Sequence, residues 1–417
     1  MPHPPIAPQR RHVLLLAALS MIGPFAIDTI FPAFGQMGRQ FGATPLAMQQ
    51  SISLYLVAYA GMSIVHGPLS DALGRKPVIL GGLVVFALAS VGCALATSLP
   101  MLLAFRALQG LSAGVGFIVG RAIIRDLYEG DPAQRLMSQV TMIFGIAPAI
   151  APVIGGWLVG VWRWPAIFWF MCAFAVLLAL AMARAMPETH PPAARTPLRP
   201  MPLLRGYWTV LGNPSFLRLA TAASLAFSAL FLYIASAPAF IEGLLGLSER
   251  DYGWFFVPMI GGMMAGAFLS GRLAGRVSGV VQTRIGFACL LLASLANLAG
   301  NAAFGPPALP WAVAPMVLLA FGIGLVSPIL TLAILDMYPR ARGAASSVQA
   351  CMALVGNALM AGLVSPMLSH SGLALAAGSS ALVFLAWLVW RWEYMRGGRV
   401  PVTSSPNAGR YEPMDEL

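Results

Sequence analysis

Twelve times along this chain a run of about 20 apolar residues gives way to a short polar stretch, and each run is long enough to cross a bilayer core as a helix. The runs lie at roughly 13–34, 47–66, 77–97, 100–124, 136–160, 165–186, 216–240, 252–271, 283–303, 311–335, 343–367 and 373–392. In lipid the backbone has no water to bind, so each run must satisfy its own N–H and C=O groups, and a helix does this within one segment. Most runs carry Gly or Pro, which spans tolerate where neighbouring helices re-satisfy the freed groups. Apolar residues make up 59% and charged residues 9%, against about 25% charged in soluble proteins. The pattern predicts an all-α polytopic membrane protein with twelve transmembrane helices.

The net charge of +11 is placed by topology rather than by a nucleic-acid partner. Arg10, Arg11, Arg75, Lys76, Arg135, Arg195, Arg272, Arg340 and Arg396 belong with the termini and the even-to-odd loops. The opposite loops hold Arg39, Arg163 and Arg250, and Arg106 and Arg121 lie inside a span. That asymmetry predicts cytoplasmic termini, with the basic loops against anionic lipid. The run after Arg11 continues through Phe34, which reads as an uncleaved first span rather than a signal peptide. Cys93, Cys172, Cys289 and Cys351 fall within spans without ligand spacing, so no disulfide framework and no metal site are expected.

Between spans two and three stands Gly67-Pro68-Leu69-Ser70-Asp71-Ala72-Leu73-Gly74-Arg75-Lys76-Pro77, read as a short charged turn. It resembles the signature loop of the major facilitator superfamily of transporters, G-x-x-x-D-x-x-G-R-[KR], at every defining position. The resemblance implies a conformational latch of Gly67, Asp71, Gly74 and Arg75, with Asp126 at the mouth of span four completing a charge cluster.

A Pro- and Arg-rich stretch divides the chain. The expected organisation is an N-terminal six-helix bundle (1–186), a cytoplasmic linker (187–215), a C-terminal six-helix bundle (216–396) and a disordered cytoplasmic tail (397–417). Leu102-Leu103-Ala104-Phe105 is echoed by Leu318-Leu319-Ala320-Phe321, and Asp126-Leu127-Tyr128 by Asp336-Met337-Tyr338. A repeated six-span unit is the sequence trace of a two-bundle transporter with its site between the halves. Arg106, however, is matched by Gly322, and Asp71 has no acidic counterpart. Ionisable groups at span depth are therefore expected in the first half alone, with the second half shaping the pocket.

Charge at span depth is expensive and usually functional. Asp28, in Phe25-Ala26-Ile27-Asp28-Thr29-Ile30-Phe31-Pro32-Ala33, is the one acid well inside a span. Its two readings are a water-exposed helix-end group and a proton-binding carboxylate facing a cavity. Asp28 lies ~22 Å along its helix from the cytoplasmic start, and Arg106 ~28 Å from the corresponding end of span four. Similar depth makes Arg106 a candidate partner. Arg106, Gln109, Gly110 and Ala113 share one helix face. Arg106-x-x-Gln109-Gly110 resembles the superfamily's R-x-x-Q-G signature, associated there with proton-coupled members. Arg121 is left open between structural and functional roles.

In span five, Pro148 and Pro152 bend the helix while Gly155 and Gly156 permit close packing. The run resembles the superfamily's antiporter signature, with Ala151 where glycine is usual. Together with Gly120-Arg121-x-x-x-Arg125-Asp126-Leu127-Tyr128, these motifs resemble the Bcr/CflA branch of the drug:proton antiporters. That resemblance implies export of chloramphenicol-, bicyclomycin- or sulfonamide-like molecules across a bacterial inner membrane.

Candidate cavity residues are Asp28, Tyr55, Tyr59, Arg106, Gln109, Met142, Phe231, Tyr233 and Asn357, since aromatic and Met-rich surfaces accommodate varied shapes. His66, beside Gly67, is read as a surface group. The expected partners are a small drug-like molecule, protons and membrane lipid, with no nucleic acid, no cofactor and a monomeric chain. The alternative within the fold is a nutrient or metabolite symporter or facilitator. An enzyme is not expected: neither a G-x-x-x-x-G-K-[ST] loop nor an H-E-x-x-H pair occurs.

Overall fold

The computed structural model describes residues 10–128, 130–195, 198, 200–303, 308–338 and 341–397. The predicted tail, save Gly397, lies outside them. The described residues form twelve membrane-length helices in two six-helix bundles, as the sequence predicts. They are α1 (Arg11–Phe41), α2 (Pro45–Leu73), α3 (Arg75–Ala94), α4 (Leu99–Leu127), α5 (Gln139–Val161) and α6 (Pro165–Ala185) in the first half. The second half holds α7 (Pro214–Ala235), α8 (Gly253–Leu273), α9 (Gly279–Ala303), α10 (Ala314–Asp336), α11 (Arg342–Leu368) and α12 (Gly372–Met395).

Local chemistry sets several helix starts. Thr44, Ser98 and Asn213 accept from Ala47 N, Met101 N and Ser215 N, and a proline stands in each first turn. A capping oxygen and a residue with no N–H to lose together start a helix cleanly. Large apolar side chains such as Val57, Leu88, Leu177 and Leu295 point outward, where acyl chains solvate them.

Two helices depart from their sequence reading. The regular part of α1 ends at Asp28, followed by a 3-10 turn at Phe31–Ala33 and a short helix at Phe34–Phe41. Pro32 has no N–H to give the Asp28 carbonyl, so the helical ladder breaks there. The signature stretch is not a loop: α2 stays helical through Leu73, and Gly74 alone separates it from α3. Pro68, inside α2, leaves the Ile64 carbonyl without its usual i+4 donor. Tyr207, in the linker helix Pro200–Leu211, donates its hydroxyl to that carbonyl at 2.9 Å.

The second half does bury an ion pair, but at the ends of its spans rather than at depth. Arg218 of α7 pairs with Glu393 of α12, and Glu393 is buried. Arg218 lies in the first turns of its span, and Glu393 in the last turns of α12, which runs three residues past the predicted end.

Contacts between the halves gather at the face away from the termini. Gln49 donates to Ala235 O at 2.6 Å, Gln50 to Gly362 O at 3.0 Å and Ser53 to Ala358 O at 3.0 Å. Phe31 stacks on Phe256, and Arg250 donates to Gly160 O at 2.8 Å.

Candidate functional site

Asp28 terminates the regular helix of α1 and is 4% exposed. No ion pair engages it among the described residues. The break beside it is packed by α5: a Cβ on Gly155 would lie 2.1 Å from Thr29 O. A Cβ on Gly156 would lie 2.0 Å from Glu249 O in the second half. The Gly155-Gly156 pair thus lets α5 fit between the α1 break and the opposite bundle. Pro148 and Pro152 lie within the continuous α5 helix, two turns and one turn before the pair respectively.

Arg106 is fully buried in α4. It is not ion-paired with Asp28. Its Nε donates to Ser51 O at 3.2 Å and its Nη1 to Gln109 Oε1 at 2.8 Å. The guanidinium stands 4.4 Å from the centre of the Tyr55 ring, a cation–π contact. Depth along two helices could not reveal that arrangement, because it says nothing of the direction in which each side chain projects. Among the described residues, Arg106 Nη2 has no hydrogen-bond partner. A buried cation with an unused donor is ready to take an acceptor.

Gln109 passes the network on by donating to Ser90 Oγ at 2.7 Å. The helix face read from R-x-x-Q therefore links α2, α3 and α4. Tyr55 donates to Gly23 O at 3.1 Å, which ties Arg106's aromatic partner to α1. Tyr59 packs edge-on against Tyr55, and a Cβ on Gly23 would lie 3.5 Å from its ring. Gly110 lets α2 and α4 approach, since a Cβ there would lie 2.2 Å from Tyr55 O. Tyr55, Tyr59, Arg106 and Gln109 thus belong to one buried region of the first half, and the buried Asp28 lies within electrostatic reach of Tyr55.

The second-half candidates sit apart from this region in the hydrogen-bond network. Tyr233 is buried and accepts from Asn297 at 2.7 Å. Phe231 is buried beside Phe227, and Asn357 is buried near Ser228. Met142 is 53% exposed on α5.

His66 is 3% exposed rather than a surface group. The helical continuation of α2 turns it inward, where a Cβ on Gly114 would lie 2.9 Å from its Nδ1. Arg121 places its guanidinium 3.8 Å from the Phe117 ring centre.

At the face carrying the termini, Arg75 gathers the expected cluster. Its Nε donates to Asp126 Oδ2 at 3.0 Å, and its Nη1 donates to Asp71 and to Ser70 Oγ. Gly67 packs α2 against Ile118 of α4. Gly74 has φ +100°, and a Cβ there would lie 2.6 Å from Glu188 Oε2.

Glu188 is the member that the sequence reading missed. Its carboxylate accepts from Arg75 N at 3.0 Å and Lys76 N at 3.2 Å, the first amides of α3. Thr189 also donates to Asp126 at 2.9 Å. An anion at a helix N-terminus satisfies orphan amides and opposes the helix dipole. The available signal was an isolated acid in Pro187-Glu188-Thr189, directly after span six in a basic stretch.

Comparisons with known proteins agree with this architecture. The profile of the Major Facilitator Superfamily matches residues 14–361. The chain is 28% identical over 388 residues to the Bicyclomycin resistance protein homolog of Haemophilus influenzae, covering 91% of this chain and 94% of that protein. It is 31% identical over 381 residues to Multidrug resistance protein D of Escherichia coli, covering 90% and 94% respectively. A bacterial homologue of the human lysosomal transporter Spinster, solved in an inward-facing and unoccupied conformation, superposes with a TM-score of 0.73 at 19% identity. That alignment covers 94% of this chain and 98% of the other. The profile match spans both bundles, and with the twelve-helix fold it identifies the chain as a member of the Major Facilitator Superfamily.

Proposed function

We propose that this protein is a proton-coupled antiporter of the Bcr/CflA type, exporting small drug-like molecules across a bacterial inner membrane by alternating access. Relatives named for bicyclomycin and multidrug resistance support the substrate class. The face carrying the termini is read as cytoplasmic from the distribution of basic loops, which makes the closed face periplasmic and this conformation inward-facing. The chain acts as a monomer and supplies transport rather than catalysis.

The observation that carries coupling is Asp28: a buried carboxyl, at a helix break, with no ion-pair partner among the described residues. Such a group holds a proton when dry and releases it when water or a ligand reaches it. Discontinuous spans provide substrate and ion sites in two-bundle transporters. Asp28 takes a proton in the outward-open form and gives it up inward, and substrate entering from the cytoplasmic side competes with that proton. Arg106, with its spare Nη2 donor, meets the carboxylate or a dipolar group of the substrate as Asp28 ionises. Tyr55, Tyr59 and Gln109 hold Arg106 in place. Phe231, Tyr233, Asn357 and Met142 shape the pocket from the second half and from α5. The cluster of Asp71, Arg75 and Asp126 is a latch on the cytoplasmic face, remade in each cycle, and the first and second six-helix units rock about the central site.

Proton release from acid-loaded inverted vesicles, followed by a pH-sensitive dye as drugs are added, tests the reading. Drug-driven release is expected with the wild type and is lost in Asp28→Asn. Coupled release surviving in Asp28→Asn contradicts it. Movement of labelled metabolites with no drug response would favour the carrier alternative.

A further inference from the structure

A second carboxyl lies where the halves meet, outside the spans. Glu242 stands in the π-helical turn Ala239–Leu244 that follows α7. Tyr252, fully buried, donates its hydroxyl to Glu242 Oε1 at 2.9 Å. Across the interface is the short last helix of α1. The position of a Cβ on Gly35 lies 3.5 Å from Glu242 Oε2 and 3.6 Å from Arg39 Nη1. A carboxyl of the second half and a guanidinium of the first therefore flank a single glycine.

The neighbouring charges are accounted for. Glu249, on the loop whose carbonyl abuts Gly156 of α5, acts on Glu242 from its own half. Arg250 is engaged with Gly160 O, and Asp251 with the N and Oγ of Ser248. Glu242 thus faces Tyr252, Glu249 and Arg39, and Arg39 alone of these belongs to the other half.

We propose that Glu242 is a second proton-binding site, whose protonation is tied to closure of the face away from the termini. The proposal rests on the alternating-access reading, in which this face must open, and it gives the second half a direct part in proton response. Opening separates Gly35 and Arg39 from the segment that holds Glu242 and Tyr252, and admits water to the carboxyl.

The sign follows from the surroundings. Burial is the largest influence and pushes the Glu242 carboxyl above its ordinary range, with Glu249 adding to the rise while Tyr252 and Arg39 pull against it. In the open form burial is relieved and the carboxyl returns toward about 4.3. The closed form binds the proton more tightly, so acid favours closure. That contribution fades as pH rises from the ordinary carboxylate range through the closed-state value. A proton arriving from outside then favours return to the closed form after substrate has left, which is the direction export requires.

The test places spin labels at Leu46→Cys and Gly243→Cys, one on each half, in full-length protein with its four native cysteines replaced and drug-driven proton release retained. Leu46 and Gly243 are exposed, and nothing lies within 4 Å of a Cβ on Gly243. The short-distance population is expected to grow as pH falls from 8 to 5, on the order of the range that a raised carboxyl spans. Glu242→Gln, which mimics the protonated group, is expected to hold the short distance at every pH. Tyr252→Phe removes a hydrogen bond that favours the carboxylate, so its midpoint is expected at higher pH. An unchanged pH response in Glu242→Gln overturns the proposal, as does an unmoved midpoint in Tyr252→Phe should the first variant not fold. Asp28→Asn separates the two sites: it is expected to lose drug-driven proton release and keep the distance response. Loss of the distance response in Asp28→Asn with Glu242 intact assigns it to Asp28 and also overturns the proposal.

Discussion

At the scale of single residues, the chemistry turns on groups whose surroundings could be only partly read in advance. Asp28 was legible because an acid in an apolar run is costly and must be accounted for. Its relation to Arg106 was not, because depth along a helix carries no information about the direction of a side chain. Arg106 instead lies over the Tyr55 ring and binds Gln109. Gly74 shows a different kind of legibility. The sequence marked it as part of a motif, and the structure supplies the reason: φ of +100° and Glu188 Oε2 at 2.6 Å from any added Cβ. Gly74→Ala is expected to cost about 1–3 kcal/mol from backbone strain alone, and to displace Glu188. Thermal unfolding in detergent should show the loss, and an unchanged midpoint would mean that the turn can relax.

At the scale of elements, the twelve spans were legible from length and hydropathy, while their ends depended on partners distant in sequence. The α2 helix continues through Asp71 because Gly74, not Gly67, is the residue that turns the chain. This continuation buries His66, which the reading of residues 67–77 as a loop had left at the surface. The α1 helix breaks after Asp28 because Pro32 withholds a donor. The start of α3 is capped by Glu188, which belongs to the segment after α6 and cannot be assigned from local sequence. Glu188→Ala should lower stability by about 0.5–2 kcal/mol, the usual range for a lost N-terminal cap. Glu188→Gln keeps an acceptor and loses only the charge–dipole part, about 0.3–1 kcal/mol. Equal unfolding midpoints for wild type and Glu188→Ala would contradict the capping role.

At the scale of the whole molecule, the two-bundle architecture followed from the internal repeat, and the face at which the bundles close did not. Open and closed forms of a rocking transporter share nearly all their contacts within each half. The choice between them rests on a small set between halves, such as Gln49 with Ala235 and Ser53 with Ala358. No periodicity in the sequence marks such contacts. Arg218 and Glu393 likewise become a pair only once α7 and α12 are packed together. In the proposed antiport cycle substrate and proton compete at Asp28, in the conformation whose closed face lies away from the termini. Competition requires that drug binding expel a proton and that binding weaken as pH falls. The most direct measurement adds drug to purified protein in a weakly buffered detergent solution and reads proton release beside bound drug. Wild type is expected to release protons in proportion to drug bound, and Asp28→Asn to bind drug and release none. Equal proton release from Asp28→Asn and wild type would exclude Asp28 as the site of that competition.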